Sequence, residues 1–459
     1  MTLSKAPTPR FDTFYKYDAL TRLLFDYADA YPTLVQVASI GKSHEGRDIW
    51  VATVTNTQTG LAEDKPAFWA DGNIHAAELT ASTACLYYLN LLLGRYGHDR
   101  EITHLLDTRT VYLCPRLNPD GAELALAERP RHIRSSTRRY PFEEEPVDGL
   151  TQEDVDGDGR MLFMRIPDPA GTYKKCAQDP RLMVAREPGE FGGEYYRVIP
   201  EGTLKNFDGL TIKVNKDAEG LDLNRNFPAG WRQEFEQVGA GPYPASEPEV
   251  RAVVDFIARH PNIGAGISFH TQSGVILRPF SSAADETMPA DDLWLYKRFA
   301  QRQEAMTGYP VLSIFHDFKY HPKQVITGGF DWIYEHLGML FWTVEIWAPL
   351  REAGLKDFHY IDWYREHAPE DDLAMLRWSD RELDGEGYVD WYRFEHPELG
   401  PVELGGWNKL GVFRNPPAKF LEREVQRFPA WLTWQALTLP RLEVLRAEVQ
   451  ALGPDTWRV

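Results

Sequence analysis

A strand–turn–helix unit with metal-type ligands at its turn constrains this chain more than any other feature. Phe68-Trp69-Ala70-Asp71-Gly72 reads as a buried apolar strand, and Leu79 to Leu93 is apolar at helical spacing. Between them, in Asn73-Ile74-His75-Ala76-Ala77-Glu78, a histidine and a glutamate stand three positions apart. A strand feeding a helix through a short turn belongs to a parallel or mixed sheet with helices on its faces. An imidazole and a carboxylate at this spacing can close on one small cation. They are two of the ligand types of a catalytic zinc, which takes three protein ligands and keeps a position for water.

The same alternation runs through the first two-thirds of the chain. Trp50–Thr55, Ala67–Gly72 and Thr110–Cys114 read as strands, Ile263–His270 and Met339–Trp347 as buried strands, and Asp18–Tyr31 and Pro248–Arg259 as helices. The expected fold class is therefore α/β: a mixed, mostly parallel twisted sheet with helices on both faces. From about 139 to 219 the pattern lapses into Asp, Glu, Gly and Pro, as expected of a long insertion that carries function or structure of its own. Beyond Arg351 the chain is aromatic and acidic. Trp363, Trp378, Trp391, Trp407, Trp431 and Trp434 are expected to pack a helical shell over 351–438. Residues 439–459 read as a tail, ending in Trp457-Arg458-Val459 as the first strand of a further module would.

Composition narrows the partners. The formal net charge of -18 disfavours nucleic acid and anionic membrane, both of which need a basic footprint. Cys85, Cys114 and Cys176 give neither a disulfide framework nor zinc-motif spacing. Met1 to Asp12 is polar and does not resemble a secretory leader, so a cytoplasmic protein is expected, or a secreted one if a leader has been trimmed.

Three further segments carry polar groups where a plain core would have none. Gly264 to His270 is a strand ending in histidine, the natural third ligand beside His75 and Glu78. Two imidazoles and a carboxylate with an open position describe a hydrolytic zinc site. Glu345 lies inside the apolar strand Leu340 to Trp347, where an unpaired charge is costly. It reads as a general base with a raised pKa or, more plainly, as a structural glutamate paired with an arginine. Leu221-Asp222-Leu223-Asn224-Arg225-Asn226-Phe227 concentrates polar groups in a short strand-like segment or an Asn-rich turn. Arg225 can grip a carboxylate with Asn224 donating beside it, and Asp222 can hold a ligating histidine by its outer ring nitrogen.

Seven segments in order resemble those of the zinc carboxypeptidases, the M14 metallopeptidases related to carboxypeptidase A. They are Ser43-His44-Glu45-Gly46-Arg47, His75-Ala76-Ala77-Glu78, Asn118-Pro119-Asp120-Gly121, Leu221 to Phe227, Phe269-His270-Thr271, Gly329-Phe330-Asp331-Trp332 and Thr343-Val344-Glu345. The resemblance implies an α/β/α sandwich over about 10–438. It also implies one zinc held by His75, Glu78 and His270, with Glu345 as general base and Asp222 orienting His75. Asn224 and Arg225 would bind the terminal carboxylate of a peptide substrate. The family's oxyanion arginine falls best on Arg134, with Arg131 and Arg138 as rivals. Ala77 stands where many relatives carry arginine. The family's loop tyrosine has Gln324 and Val325 in register here, with Tyr320 nearest. The specificity position falls on Phe330, which suggests an apolar or narrow pocket.

The expected function is a zinc-dependent carboxypeptidase. One alternative is a zinc deacylase or amidase acting on small acylated amino acids or cell-wall peptides. The other is an inert pseudo-peptidase that binds a peptide or calcium. Within the insertion, Asp154, Asp156 and Asp158 alternate before glycine as at the start of a calcium loop, but the twelfth position is Arg165. A solvated acidic turn is the plainer reading, with calcium the alternative.

Overall fold

The computed structural model describes residues 5–318, 326–356, 358–442 and 446–458. Eight strands build the main sheet: β1 (Val35–Lys42), β2 (Asp48–Val54), β3 (Ala67–Gly72), β4 (Thr110–Cys114), β5 (Ile263–Thr271), β6 (Val275–Arg278), β7 (Val311–Ser313) and β8 (Leu340–Ile346). Their order is β1-β2-β4-β3-β5-β8-β6-β7. The central run β4-β3-β5-β8 is parallel, while β1, β2 and the β8–β6 pairing are antiparallel. The mixed, mostly parallel sheet follows from the βα alternation.

The central strands are buried on both faces, and their alternation feeds two cores. Phe68 and Ala70 of β3, Ile267 and Phe269 of β5 and Trp342 and Val344 of β8 pack against the helices Tyr17–Ala30, Leu79–Arg95 and Pro429–Leu437. Ala67 and Trp69 of β3 and Phe341 of β8 face the helices Pro248–Arg259 and Gly329–Leu337. Gly72 is where the first helix layer comes closest. A Cβ there would lie 2.7 Å from the carbonyl oxygen of Ala81, so the strand end admits only glycine.

The insertion and the C-terminal region fold together, which the sequence pattern does not reveal. Tyr388–His396 and Gly400–Trp407 form an antiparallel hairpin, and the latter strand pairs with Phe163–Pro167. Tyr196–Pro200, Tyr173–Lys175 and Met183–Ala185 complete a six-stranded antiparallel sheet. Met164, Ile199, Val402 and Leu404 share its core. The aromatic region after 351 is thus only partly the helical shell expected. Helices span Tyr360–Arg365, Pro369–Leu383, Ala418–Val425 and Pro429–Leu437, but Trp391 and Trp407 sit on strands. In the tail, Gln450–Gly453 and Thr456–Arg458 pair with each other as an exposed hairpin. Among the described residues no helix is long and apolar enough to cross a membrane.

Candidate active site

The site lies at the carboxyl ends of β3, β5 and β8, where parallel sheets open towards ligands. Register explains how distant residues meet. Gly72 pairs with Phe269, which places the β3 turn beside His270, and His270 pairs directly with Glu345. Asn73 turns the chain with φ of 62°, a left-handed conformation that asparagine tolerates. Its side chain donates to the carbonyls of His75 and Ala76 at 2.7 and 3.2 Å and fixes the loop. Asn118 donates to Ile74 O and Ser135 O at 3.2 and 2.7 Å, and Ala76 N donates to Arg134 O at 3.2 Å. The Asn-Pro-Asp-Gly segment therefore clamps the His75 loop to the Arg134 loop. Asp120 is held in turn by Ser43, Glu45 and Arg47.

His75, Glu78 and His270 are buried together. His75 Nδ1 lies 3.0 Å from Glu78 Oε1, and His270 Nδ1 lies 3.0 Å from both Glu78 Oε2 and His75 Nδ1. Glu78 sits at the N-cap of helix Leu79–Arg95 without capping it, because its carboxylate turns to the histidines. Burial opposes its ionisation, but His75 and His270 hold its carboxyl well below the usual range. Each ring is anchored by its outer nitrogen. Asp222 Oδ1 lies 3.1 Å from His75 Nε2. Ser268 Oγ lies 3.3 Å from His270 Nε2 and itself donates to Asp71 Oδ1 at 2.6 Å. Those anchors favour protons on the outer nitrogens and leave two lone pairs and a carboxylate converging at 3.0 Å, an arrangement that a divalent cation satisfies. The donor set fits zinc. Ser268 and Asp71 escape sequence reasoning. The only trace of them is a pair of polar residues on otherwise apolar central strands.

Asp222 is shared. Its second oxygen accepts from Arg134 Nε at 2.8 Å, and Arg225 Nη2 is 3.9 Å away. Burial works to raise its pKa, but Arg134, Arg225 and His75 outweigh burial and keep it well below the carboxylate range. Residues 221–227 are not a strand. Leu223–Arg225 is a 3-10 turn that Asp222 caps by accepting from Asn224 N at 3.0 Å. Asn224 Oδ1 accepts from Gly329 N at 2.9 Å, so its amide nitrogen is the group it can offer a ligand.

Of the three candidate arginines, Arg134 lines the cavity beside His75 and Glu345. Arg131 is engaged bidentately by Glu219 at 3.2 and 3.0 Å, and Arg138 by Glu247 at 2.7 Å. The cavity also receives Asn224 and Arg225. Leu277, Ile314, Phe318, Ile326 and Phe330 give it an apolar wall. Burial pushes the Glu345 carboxyl up to about 7, against the attraction of His270. Tyr320, Gln324 and Val325 lie outside the described residues.

Asp154, Asp156 and Asp158 do approach one another, with an oxygen each within 4.8 Å. Their carboxylates are engaged by the chain itself. Asp154 accepts from Gly157 N and Gly159 N at 2.6 and 2.9 Å, Asp158 pairs with Arg160, and Tyr392 donates to Asp156 at 2.5 Å. This is the acidic turn of the plainer reading, and nothing beyond spacing speaks for calcium.

The sequence model of the family described as zinc carboxypeptidase matches residues 20–159 and 195–360. The chain belongs to the zinc carboxypeptidase family. Carboxypeptidase A2 of Mus musculus is 26% identical over 322 residues, which cover 66% of this chain and 55% of the mouse protein. Carboxypeptidase A1 of Sus scrofa is 24% identical over 328 residues, 68% of this chain and 58% of the pig protein. The chain thus spans less than two-thirds of the length of these relatives. The crystal structure of carboxypeptidase A from Helicoverpa armigera aligns with a TM-score of 0.48 at 19% identity, over 82% of this chain and 75% of that one. The zinc carboxypeptidase match leaves out residues 160–194 and everything after 360. Five of the six strands of the second sheet come from those stretches.

Proposed function

We propose that this zinc carboxypeptidase family member is a zinc-dependent carboxypeptidase that removes C-terminal residues with apolar side chains. One observation carries the reading: a His-Glu-His cluster, a half-buried carboxyl and an Asn-Arg pair open into one cavity that also has apolar lining. A zinc ion held by His75, Glu78 and His270 would supply a Lewis acid that polarises the scissile carbonyl and acidifies a water.

The chain's own groups do the rest. Arg225 and the Asn224 amide bind the terminal carboxylate, which excludes substrates that lack one. Leu277, Ile314, Ile326 and Phe330 receive the last side chain. Glu345 accepts the proton of the attacking water, a role suited to a carboxyl near 7, and returns it to the leaving amine. Arg134, steadied by Asp222, faces the developing oxyanion, and a donor of this kind contributes about 3 kcal/mol.

The test is metal analysis of the purified protein, with wild type and His75→Ala incubated on a mixed peptide library read by mass spectrometry. One zinc per chain, lost in the variant, with apolar C-terminal residues trimmed one at a time, is the expected result. Zinc without trimming, together with turnover of acylated amino acids, would replace this reading with a deacylase.

A further inference from the structure

A second cavity, of about 380 Å3, shares His75, Arg134 and Glu345 with the first and lacks its Asn224–Arg225 end. If Arg225 holds the substrate's terminus, the chain before the cleaved bond runs into this second space. Its charge is unusual for a molecule of net charge -18. Arg134, Arg365 and Arg414 line it, and among the described residues its only carboxylates are Glu78 and Glu345. Arg134 is paired with Asp222 behind it, which leaves Arg414 and Arg365 as the cations facing the space.

Arg414 is the key member. It comes from the end of the turn Lys409–Arg414, outside the stretch that the family model matches. Its Nη1 donates to Thr271 O at 3.3 Å and lies 3.6 Å from Glu78 Oε1. The next residue fixes it in place. Asn415 is buried, donates to Ala77 O at 2.8 Å, and accepts from Thr80 N and Thr80 Oγ1 at 3.1 and 2.9 Å. A cation is thus anchored beside the metal cluster from more than 300 residues away along the chain, at a turn whose own residue there is the neutral Ala77. Glu78 cannot satisfy it fully, because its two oxygens already face the histidines. Among the described residues, Arg365 is paired with the exposed Asp362, at 3.6 Å.

We propose that Arg414, with Arg365 beyond it, forms a subsite for an acidic side chain on the residue just before the cleaved bond. This rests on the carboxypeptidase reading. A guanidinium whose backbone is held by the buried bonds of Asn415, and whose Nη1 rests on Thr271 O, can take a carboxylate in two parallel bonds.

The experiment compares blocked peptides ending in Glu-Phe and Gln-Phe on wild type, Arg414→Lys and Arg414→Gln. The readout is the ratio of kcat/KM values within each protein, which a general loss of fold does not change. Wild type should prefer the glutamate peptide by about tenfold, less at high salt. Arg414→Lys should keep part of the preference, and Arg414→Gln should bring the ratio to about one. A wild-type ratio near one overturns the proposal. So does a ratio unchanged in Arg414→Gln, or an equal rise in KM for both peptides, which would make Arg414 a main-chain ligand. If neither peptide is trimmed, the carboxypeptidase reading fails by itself. Fluorescence anisotropy of the same peptides on Glu345→Gln then decides the subsite: tighter binding of the glutamate peptide supports it, and equal binding overturns it.

Discussion

Asp222→Asn tests the site at its most connected atom pair. The carboxylate holds His75 Nε2 on one oxygen at 3.1 Å and Arg134 Nε on the other at 2.8 Å, with Asn224 N also on the first at 3.0 Å. An amide has only one acceptor oxygen. If that oxygen stays towards His75, the NH2 group faces the Arg134 N–H, and a charge-assisted bond of about 1.5–3 kcal/mol gives way to two opposed donors. If the amide flips, its NH2 meets His75 Nε2, and the ring must carry its proton on Nδ1, the atom that faces Glu78 and His270. Either orientation weakens the cluster. Loss of such an outer partner costs about 10–100-fold in metal affinity, or about 1.4–2.7 kcal/mol. The expected result is zinc affinity reduced by that factor, with kcat/KM falling further because Arg134 is no longer steadied. Titration against a chromophoric chelator measures the first, and a melting curve on the zinc-loaded variant checks the fold. Zinc affinity within about threefold of wild type in a folded variant would refute the shared-anchor argument.

Glu345→Gln should lower kcat by about 10²–10⁴-fold while zinc content stays at one per chain, measured by turnover and metal analysis. Arg134→Met should cost about 10²–10³-fold in kcat, whereas Arg131→Met, which breaks the pair with Glu219, should leave kcat nearly unchanged and loosen the insertion to protease. Glu249 supplies a pH prediction away from the metal. Burial pushes its carboxyl up to about 7, although His44 N donates to it at 2.8 Å. A carboxyl whose folded pKa lies above its unfolded value near 4.3 favours the fold only while protonated, so its contribution is fully present at low pH and is lost as pH rises from about 4.3 to about 7. The stability of Glu249→Gln relative to wild type should therefore rise by about 3 kcal/mol between pH 4 and pH 8, read as the shift in urea midpoint. Parallel midpoint profiles would contradict it.

By itself the sequence determined the central fold and most of the site's inventory. Periodicity placed Ala67–Gly72, Thr110–Cys114 and Pro248–Arg259 at the bounds the structure has, because apolar runs ended by Gly, Pro or polar residues are local signals. His75, Glu78 and His270 were legible because chemistry-bearing residues at apolar strand ends stand out against a core background, Glu345 because it is the one charge in an apolar strand, and Asn224 and Arg225 because polar groups crowd a short segment and match a family motif. Tertiary structure alone decided what depends on long-range pairing. The strand Gly400–Trp407 finds Phe163–Pro167 more than 230 residues away, and neither segment alternates strongly enough to announce the other. That Arg134 lines the cavity while Glu219 and Glu247 engage Arg131 and Arg138 is something no spacing rule supplies. Ser268 and Asp71 became visible only once β3 and β5 lay side by side. Arg414 reached the site only because Asn415 ties its turn to Ala77 and Thr80. Local patterning fixes which segments are strands and helices, but hydrogen-bond register and buried ion pairs, which join residues hundreds of positions apart, fix which charges face the same space.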